Sequence, residues 1–258
     1  MKTSGWQWIA LLIGLLAVGA GVKLAGTGNA DALRRIVLER CVPHQKYEGT
    51  PAPCLRVDLS DGYVLFKDKR GALQYLLMPT MRINGVESPL LLAASAPNYF
   101  WQAWQSRNVM GIKRGAPIPD AAIALTLNSR FGRTQNHLHI HISCLRRDTR
   151  AVIDRYAESI NTLWRPFPER LDGIHYLARR ATSHELAQRG PFISLANEVP
   201  DARSHMGRYG IALAQLSGGD FILLATERNL LTFNRGSAET LQDHDCLILD
   251  EPRFNYRR

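Results

Sequence analysis

The residues of this chain best suited to chemistry are three histidines separated by single aliphatic residues, in the run Asn136-His137-Leu138-His139-Ile140-His141-Ile142-Ser143. A strand turns successive side chains to opposite faces, so an extended run of this pattern puts His137, His139 and His141 on one side. Leu138, Ile140 and Ile142 then enter a core on the other. A neutral imidazole is a competent nucleophile near neutral pH, and its attack on phosphorus gives a phosphoramidate that divides one hard displacement into two easier ones. The polar residues Asn128, Gln135 and Asn136 accompany the rings in sequence, and donors of this kind hold the anionic oxygens of a transferring phosphoryl group. Two other readings use the same residues. One is an inert strand with polar side chains facing water; the other is a His-x-His pair within a tetrahedral zinc site. No neighbouring carboxylate or close cysteine motif completes such a ligand set, so the expectation is no metal and no cofactor.

The elements that must position the rings follow from periodicity and turn residues. Leu125-Thr126-Leu127 reads as a strand, and the glycine-containing stretch after it makes the histidine run the second arm of a hairpin. Two apolar runs, 62–68 and 72–78, are joined by Lys69-Arg70-Gly71 as another hairpin. A third is expected from 209–216 and 220–226, turned by Ser217-Gly218-Gly219. Its likeness to the 62–79 pattern suggests a degenerate second copy over about 166–258, without the histidines. Helices are expected over 95–113, with Tyr99, Phe100, Ala103, Trp104 and Met110 on the apolar side and Gly111 and Gly115 closing it, and over 146–164. The remaining histidines, His44, His175, His184, His205 and His244, show no mutual spacing that suggests a site and read as ordinary polar residues.

The His-φ-His-φ-His-φ run, with φ an apolar residue, resembles the histidine triad superfamily of nucleotide hydrolases and transferases. The stretch Leu76-Leu77-Met78-Pro79-Thr80-Met81-Arg82-Ile83 is similar to that family's proline-ended strand, with Arg82 where the motif more often carries histidine. The stretches 34–41, 76–90, 132–144, 198–210 and 225–232 narrow the resemblance to the bacterial CDP-diacylglycerol pyrophosphatase family. The resemblance implies an α+β fold, a histidine-triad-like antiparallel sheet with flanking helices, behind a single N-terminal transmembrane helix. It implies hydrolysis of CDP-diacylglycerol to CMP and phosphatidate, with the middle histidine, His139, as nucleophile and His137 and His141 beside it. Asn128, Gln135, Asn136 and Arg82 are the substrate-binding candidates. A CMP transferase, a dinucleotide hydrolase and a non-catalytic metal or nucleotide receptor use the same residues and stay open.

Residues 6–24 form an apolar run bordered by Trp6 and Trp8, close to the about 20 residues that span a bilayer. The chain is accordingly divided into a tail at 1–5, an anchor at 6–25, a linker at 26–33 and a catalytic domain at 34–258. A cleaved signal peptide, with small residues at Gly28-Asn29-Ala30, is the rival. Cys41 and Cys54 flank a proline-containing loop that a bridge would close, leaving Cys144 with Cys246; free buried thiols are the alternative. An even cysteine set suits an oxidising compartment, here the periplasmic side of a bacterial inner membrane. The formal net charge is +9. Arg146, Arg147, Arg150, Arg155, Arg179, Arg180, Arg257 and Arg258 are scattered without an aromatic-interleaved motif, which argues against nucleic acid and for anionic inner-membrane phospholipids as the partner. A solvated basic face without a partner is the other reading.

Overall fold

The structure, a computed structural model, describes residues 29–254. Helices α1 (Ala32–Arg35) and α2 (Val42–Glu48) are joined by a π-helical stretch, Ile36–Cys41. Strands β1 (Arg56–Asp58), β2 (Tyr63–Lys67) and β3 (Tyr75–Pro79) follow, then α3 (Tyr99–Ser106), α4 (Val109–Arg114), β4 (Ile123–Leu127) and β5 (Ile140–Leu145). Helix α5 (Arg147–Tyr156) leads to β6 (Arg165–Pro166), β7 (Leu177–Ala181), α6 (Ser183–Gln188), α7 (Pro191–Glu198) and α8 (Ala202–His205). Strands β8 (Tyr209–Gln215), β9 (Phe221–Glu227) and β10 (Gln242–Asp243) complete the set. The fold is α+β. The candidate anchor at 6–25 lies outside the described residues, and among those described no helix is long and apolar enough to cross a membrane.

All the strands among the described residues belong to one antiparallel sheet of ten, ordered β1-β2-β3-β5-β4-β8-β9-β7-β6, with β10 pairing the end of β5. The three expected hairpins are present as β2–β3, β4–β5 and β8–β9. Residues opposite one another in an antiparallel pair share a face. The register therefore draws one row across the sheet: Phe66, Leu76, His141, Thr126, Ala212, Leu224 and Ala178.

The opposite face carries Leu77, Leu125, Ile140, Ile142, Leu213 and Leu223, packed with Phe100 and Trp104 of α3 and Phe192 of α7 in the main core. Trp104 meets Phe221 edge-on at 4.9 Å. On the histidine face the apolar cover is split. Val64, Leu76 and Met78 pack with Val37 and Cys41 of the N-terminal helical segment. Ala124, Ala212, Ala214, Ile222 and Leu224 pack with Ile153 of α5. His141 lies in the row between these patches.

Two helix expectations need correction. The segment 95–113 forms two helices, with Gly111 inside α4 and only Gly115 closing it at φ +75°. Arg107, at the break, is fixed by a two-point pair to Asp120 at 2.6 and 2.8 Å and by a hydrogen bond from its own guanidinium to the Trp104 carbonyl. The segment 146–164 is helical only to Tyr156 in α5, followed by a 3-10 turn, Ala157–Ser159. Arg180 of β7 donates to the Ala157 and Ile160 carbonyls there, satisfying acceptors that a continued helix would have used. The cysteines are joined as Cys41–Cys54 and Cys144–Cys246.

Candidate active site

The assigned β5 begins at Ile140, so His137 and His139 sit on its extended approach and only His141 lies within the ladder. All three rings are nonetheless buried, as are Leu138, Ile140 and Ile142 between them. His139 and His141 are in edge contact, with ring centroids 4.9 Å apart.

The hydrogen bonds determine which nitrogen of each ring carries the proton. His139 Nδ1 lies 2.6 Å from the His137 carbonyl oxygen. A carbonyl only accepts, so Nδ1 is the protonated nitrogen and the lone pair of the neutral ring is on Nε2. His137 Nε2 likewise donates to the Pro79 carbonyl at 3.0 Å, leaving its buried Nδ1 as an acceptor without a protein partner among the described residues. His141 Nδ1 faces the Gln74 amide nitrogen at 3.2 Å, and that nitrogen also donates to Asp68 at 2.8 Å. His141 therefore accepts at Nδ1 and carries its proton on Nε2. That proton faces Glu239 at 3.5 Å, too long for a well-formed hydrogen bond but close enough for electrostatic attraction.

Glu239 is the centre of a second network that spacing did not reveal. It receives the Asn128 side-chain amide at 2.8 Å and the His244 ring at 3.2 Å. His244 Nδ1 in turn faces Ser143 at 3.3 Å. Asn128 is oriented by two donors to its oxygen, Ser237 at 3.0 Å and the Glu239 backbone at 3.1 Å. The reading of His244 as an ordinary polar residue is thus corrected. It lies about a hundred positions from the triad, and its partner Glu239 is on a short 3-10 turn, Ala238–Leu241, that only the folded chain brings across β5. Gln242 anchors this strap by donating to the backbone of Ala124 and His141 and accepting from Thr126. The Cys144–Cys246 bridge holds its far side. Gly71, in the β2–β3 turn at φ +62°, gives His244 room: a Cβ there would stand 2.8 Å from the His244 Cβ.

Burial dominates the protonation states. Desolvation brings His137 and His139 down to about 4, with the positive charges of neighbouring groups acting in the same direction. His141 is also lowered by burial, and Glu239 partly opposes that shift. Burial raises Glu239, but hydrogen bonds from His244 and Asn128 and the nearby imidazoles outweigh it and keep the carboxyl ionised well below the usual range. At neutral pH the three triad rings are neutral beside an ionised carboxylate.

The other candidate residues are placed differently. Gln135 is turned toward the N-terminal segment, accepting from the Leu33 backbone and donating to the Asn29 carbonyl, both at 3.1 Å. The Asn136 backbone donates to Ala30 at 2.6 Å while the residue itself is exposed. Arg82 is exposed in the loop after β3. Arg133, unremarked in the sequence, forms a part-buried two-point pair with Glu87 at 2.6 Å and adds positive potential at His139. Among the described residues no group of three or more His, Cys, Asp or Glu could hold a metal ion.

A solved structure described as "Hnt3 in complex with DNA and guanosine" is similar at 17% identity and a TM-score of 0.29, over 45% of this chain and 62% of that one. The match thus spans less than two thirds of that protein's length. The sequence family described as CDP-diacylglycerol pyrophosphatase matches residues 28–250, a span that contains the triad, Glu239 and His244. That match covers most of the chain, which therefore belongs to the CDP-diacylglycerol pyrophosphatase family, a family of hydrolases.

Proposed function

We propose that the chain hydrolyses CDP-diacylglycerol by covalent catalysis, with Nε2 of His139 as the nucleophile. The observation that carries this reading is the 2.6 Å hydrogen bond from His139 Nδ1 to the His137 carbonyl. It fixes the tautomer in which the Nε2 lone pair is available, and Nε2 is not among the sealed, unpartnered polar atoms. In the first step Nε2 forms a bond to the phosphorus of the CMP moiety. The bond from that phosphorus to the bridging oxygen breaks, and phosphatidate leaves with the electron pair. A phosphomonoester with a second pKa near 6 is a weak enough base to depart without a strong general acid. The nucleotidyl ring carries positive charge, which the carbonyl at Nδ1 stabilises. In the second step water attacks the same phosphorus, the P–N bond breaks, the water proton passes to solvent, and CMP departs with the ring restored.

His137 serves as the positioning residue whose carbonyl sets the His139 tautomer, held by its own bond to Pro79. His141, held at Nδ1 by Gln74 and with its buried Nε2 proton directed at Glu239, packs edge-on against His139 and positions that ring. Asn136 and Arg82, both exposed, are read as groups that meet the parts of the substrate outside the buried site.

The architecture is read as histidine-triad-like, with the β8–β9–β7–β6 half as a degenerate second copy joined to the first through β4 and β8. This pairing, and the donation of Glu239 and His244 by the C-terminal part of the chain, support that reading. The two disulfides support a periplasmic location, with the apolar run at 6–25 as an anchor. Single-turnover reaction with CDP-diacylglycerol, quenched and digested, tests the mechanism by the presence of CMP on the peptide that carries His139.

A further inference from the structure

We propose that the loop after β9, residues 228–235, is a membrane-docking tip that seats the catalytic face on a bilayer containing anionic phospholipid. This rests on the lipid substrate of the reading above. Leu230, Leu231 and Phe233 are 69%, 92% and 92% exposed. These three stand together on one turn, and two of them are more exposed than any other large apolar side chain among the described residues. Scattered single exposures are ordinary; three fully presented large side chains on a projecting turn mark an interaction surface.

The turn is built to present them. Asn229 and Asn234 close its base by backbone pairing at 2.8 Å, and the Asn234 amide is bound to Thr226 and to the Glu227 carbonyl, each at 2.8 Å. Phe233 adopts φ +55°, a left-handed conformation unfavourable for a bulky side chain, and is nonetheless 92% exposed. Basic residues surround the apolar tip. Arg130 and Arg235 are exposed and form no ion pair among the described residues, and Arg228 lies over the Phe131 ring at 3.9 Å. Arg208 is paired with Glu227 at 3.5 Å, and Glu87, itself bound by Arg133, is the acidic group nearest Arg130. Aliphatic and aromatic side chains below a collar of guanidinium groups match the acyl boundary and the anionic headgroups of a bilayer.

The tip is also joined to the site. The Ser129 hydroxyl donates to the Arg235 carbonyl at 2.5 Å while accepting from the Phe131 and Gly132 backbones, and the Ser129 backbone donates to the Gly236 carbonyl at 2.9 Å. The next residue toward β4 is Asn128, which binds Glu239. The segment after the apolar run 6–24 is hydrogen-bonded to Gln135 and Asn136 on the same loop. One end of the sheet thus gathers the tip, the N-terminal segment and the approach to His137.

The test uses the full chain in vesicles of phosphatidylcholine with or without phosphatidylglycerol. An environment-sensitive fluorophore is attached at Leu231→Cys, and at Ile112→Cys on α4 as the control. Quenching by acyl-chain nitroxides at 231, absent at 112 and strengthened by phosphatidylglycerol, is expected. Leu231→Asp with Phe233→Asp should lower turnover of vesicle-borne CDP-diacylglycerol about tenfold, while turnover of a short-chain, water-soluble CDP-diacylglycerol stays unchanged. Equal quenching at both positions, an unaltered vesicle rate, or a fluorescence change in concentrated lipid-free protein that reports a second copy on the tip would each overturn the proposal. Loss of turnover on both substrates by the unmodified chain would instead count against the hydrolase reading.

Discussion

His139 and His137 are linked by a hydrogen bond between the ring Nδ1 of the first and the backbone carbonyl of the second, 2.6 Å long and buried. The extended backbone that carries the rings therefore also selects the tautomer of His139. A residue two positions back along an extended chain presents its carbonyl to the ring, and the opposite nitrogen is left as the nucleophile.

Burial sets the acid limit of activity. His139 must be neutral to attack, and desolvation lowers it from the ordinary 6.5 to about 4. The rate constant kcat/KM should therefore stay level as pH falls through 6 and decline only near 4, as a pH profile with water-soluble substrate will show. Stability carries the same signature. Between 6.5 and about 4 the unfolded chain binds protons that folded His137 and His139 exclude. The folded state thus loses up to about 3 kcal/mol per ring across that window, measurable by denaturant titration.

Glu239 positions His141. Glu239→Gln keeps the shape but removes the charge that attracts the Nε2 proton, so kcat should drop roughly tenfold to a hundredfold, as expected when a group orienting a functional histidine is lost. Because Glu239 holds His141 up against burial, the variant ring should titrate lower still. Titration of the ring by NMR separates this effect from simple misfolding, and Glu239→Asp should restore part of the rate.

The Cys144–Cys246 bridge closes a loop of sequence separation 102, for which chain entropy gives about 4 to 5 kcal/mol. It also holds the strap that carries Glu239 and His244. The Cys144→Ala, Cys246→Ala variant should be less stable by that order and should lose activity at denaturant concentrations where the sheet, followed by far-UV circular dichroism, remains intact. Coincident loss of both would separate the bridge from the site.

The hairpins, the histidine face and the cysteine partners were legible because each depends on local pattern: turn glycines, period-two alternation and a short spacing between Cys41 and Cys54. The helix ends were not, because partners distant in sequence set them. Arg180 satisfies the carbonyls that end α5 from the far strand β7, and Asp120 fixes Arg107 at the break between α3 and α4. Glu239 and His244 were illegible for the same reason. A carboxylate and an imidazole five positions apart on an irregular strap have no periodicity, and their roles arise only where β10 crosses the end of β5. Gln135 shows the converse: adjacency to the triad in sequence turned its side chain toward α1 rather than the rings.

The central claim is that His139 carries CMP during turnover, and the most direct measurement is mass spectrometry of the His139 peptide after rapid quenching of a single turnover with excess EDTA. The account predicts a CMP adduct on His139 that forms and decays at rates consistent with CMP release, is indifferent to EDTA, and is absent in His139→Ala, whose turnover falls by at least about a thousandfold. CMP release without an adduct, or release that persists in His139→Ala or stops with EDTA, would contradict it.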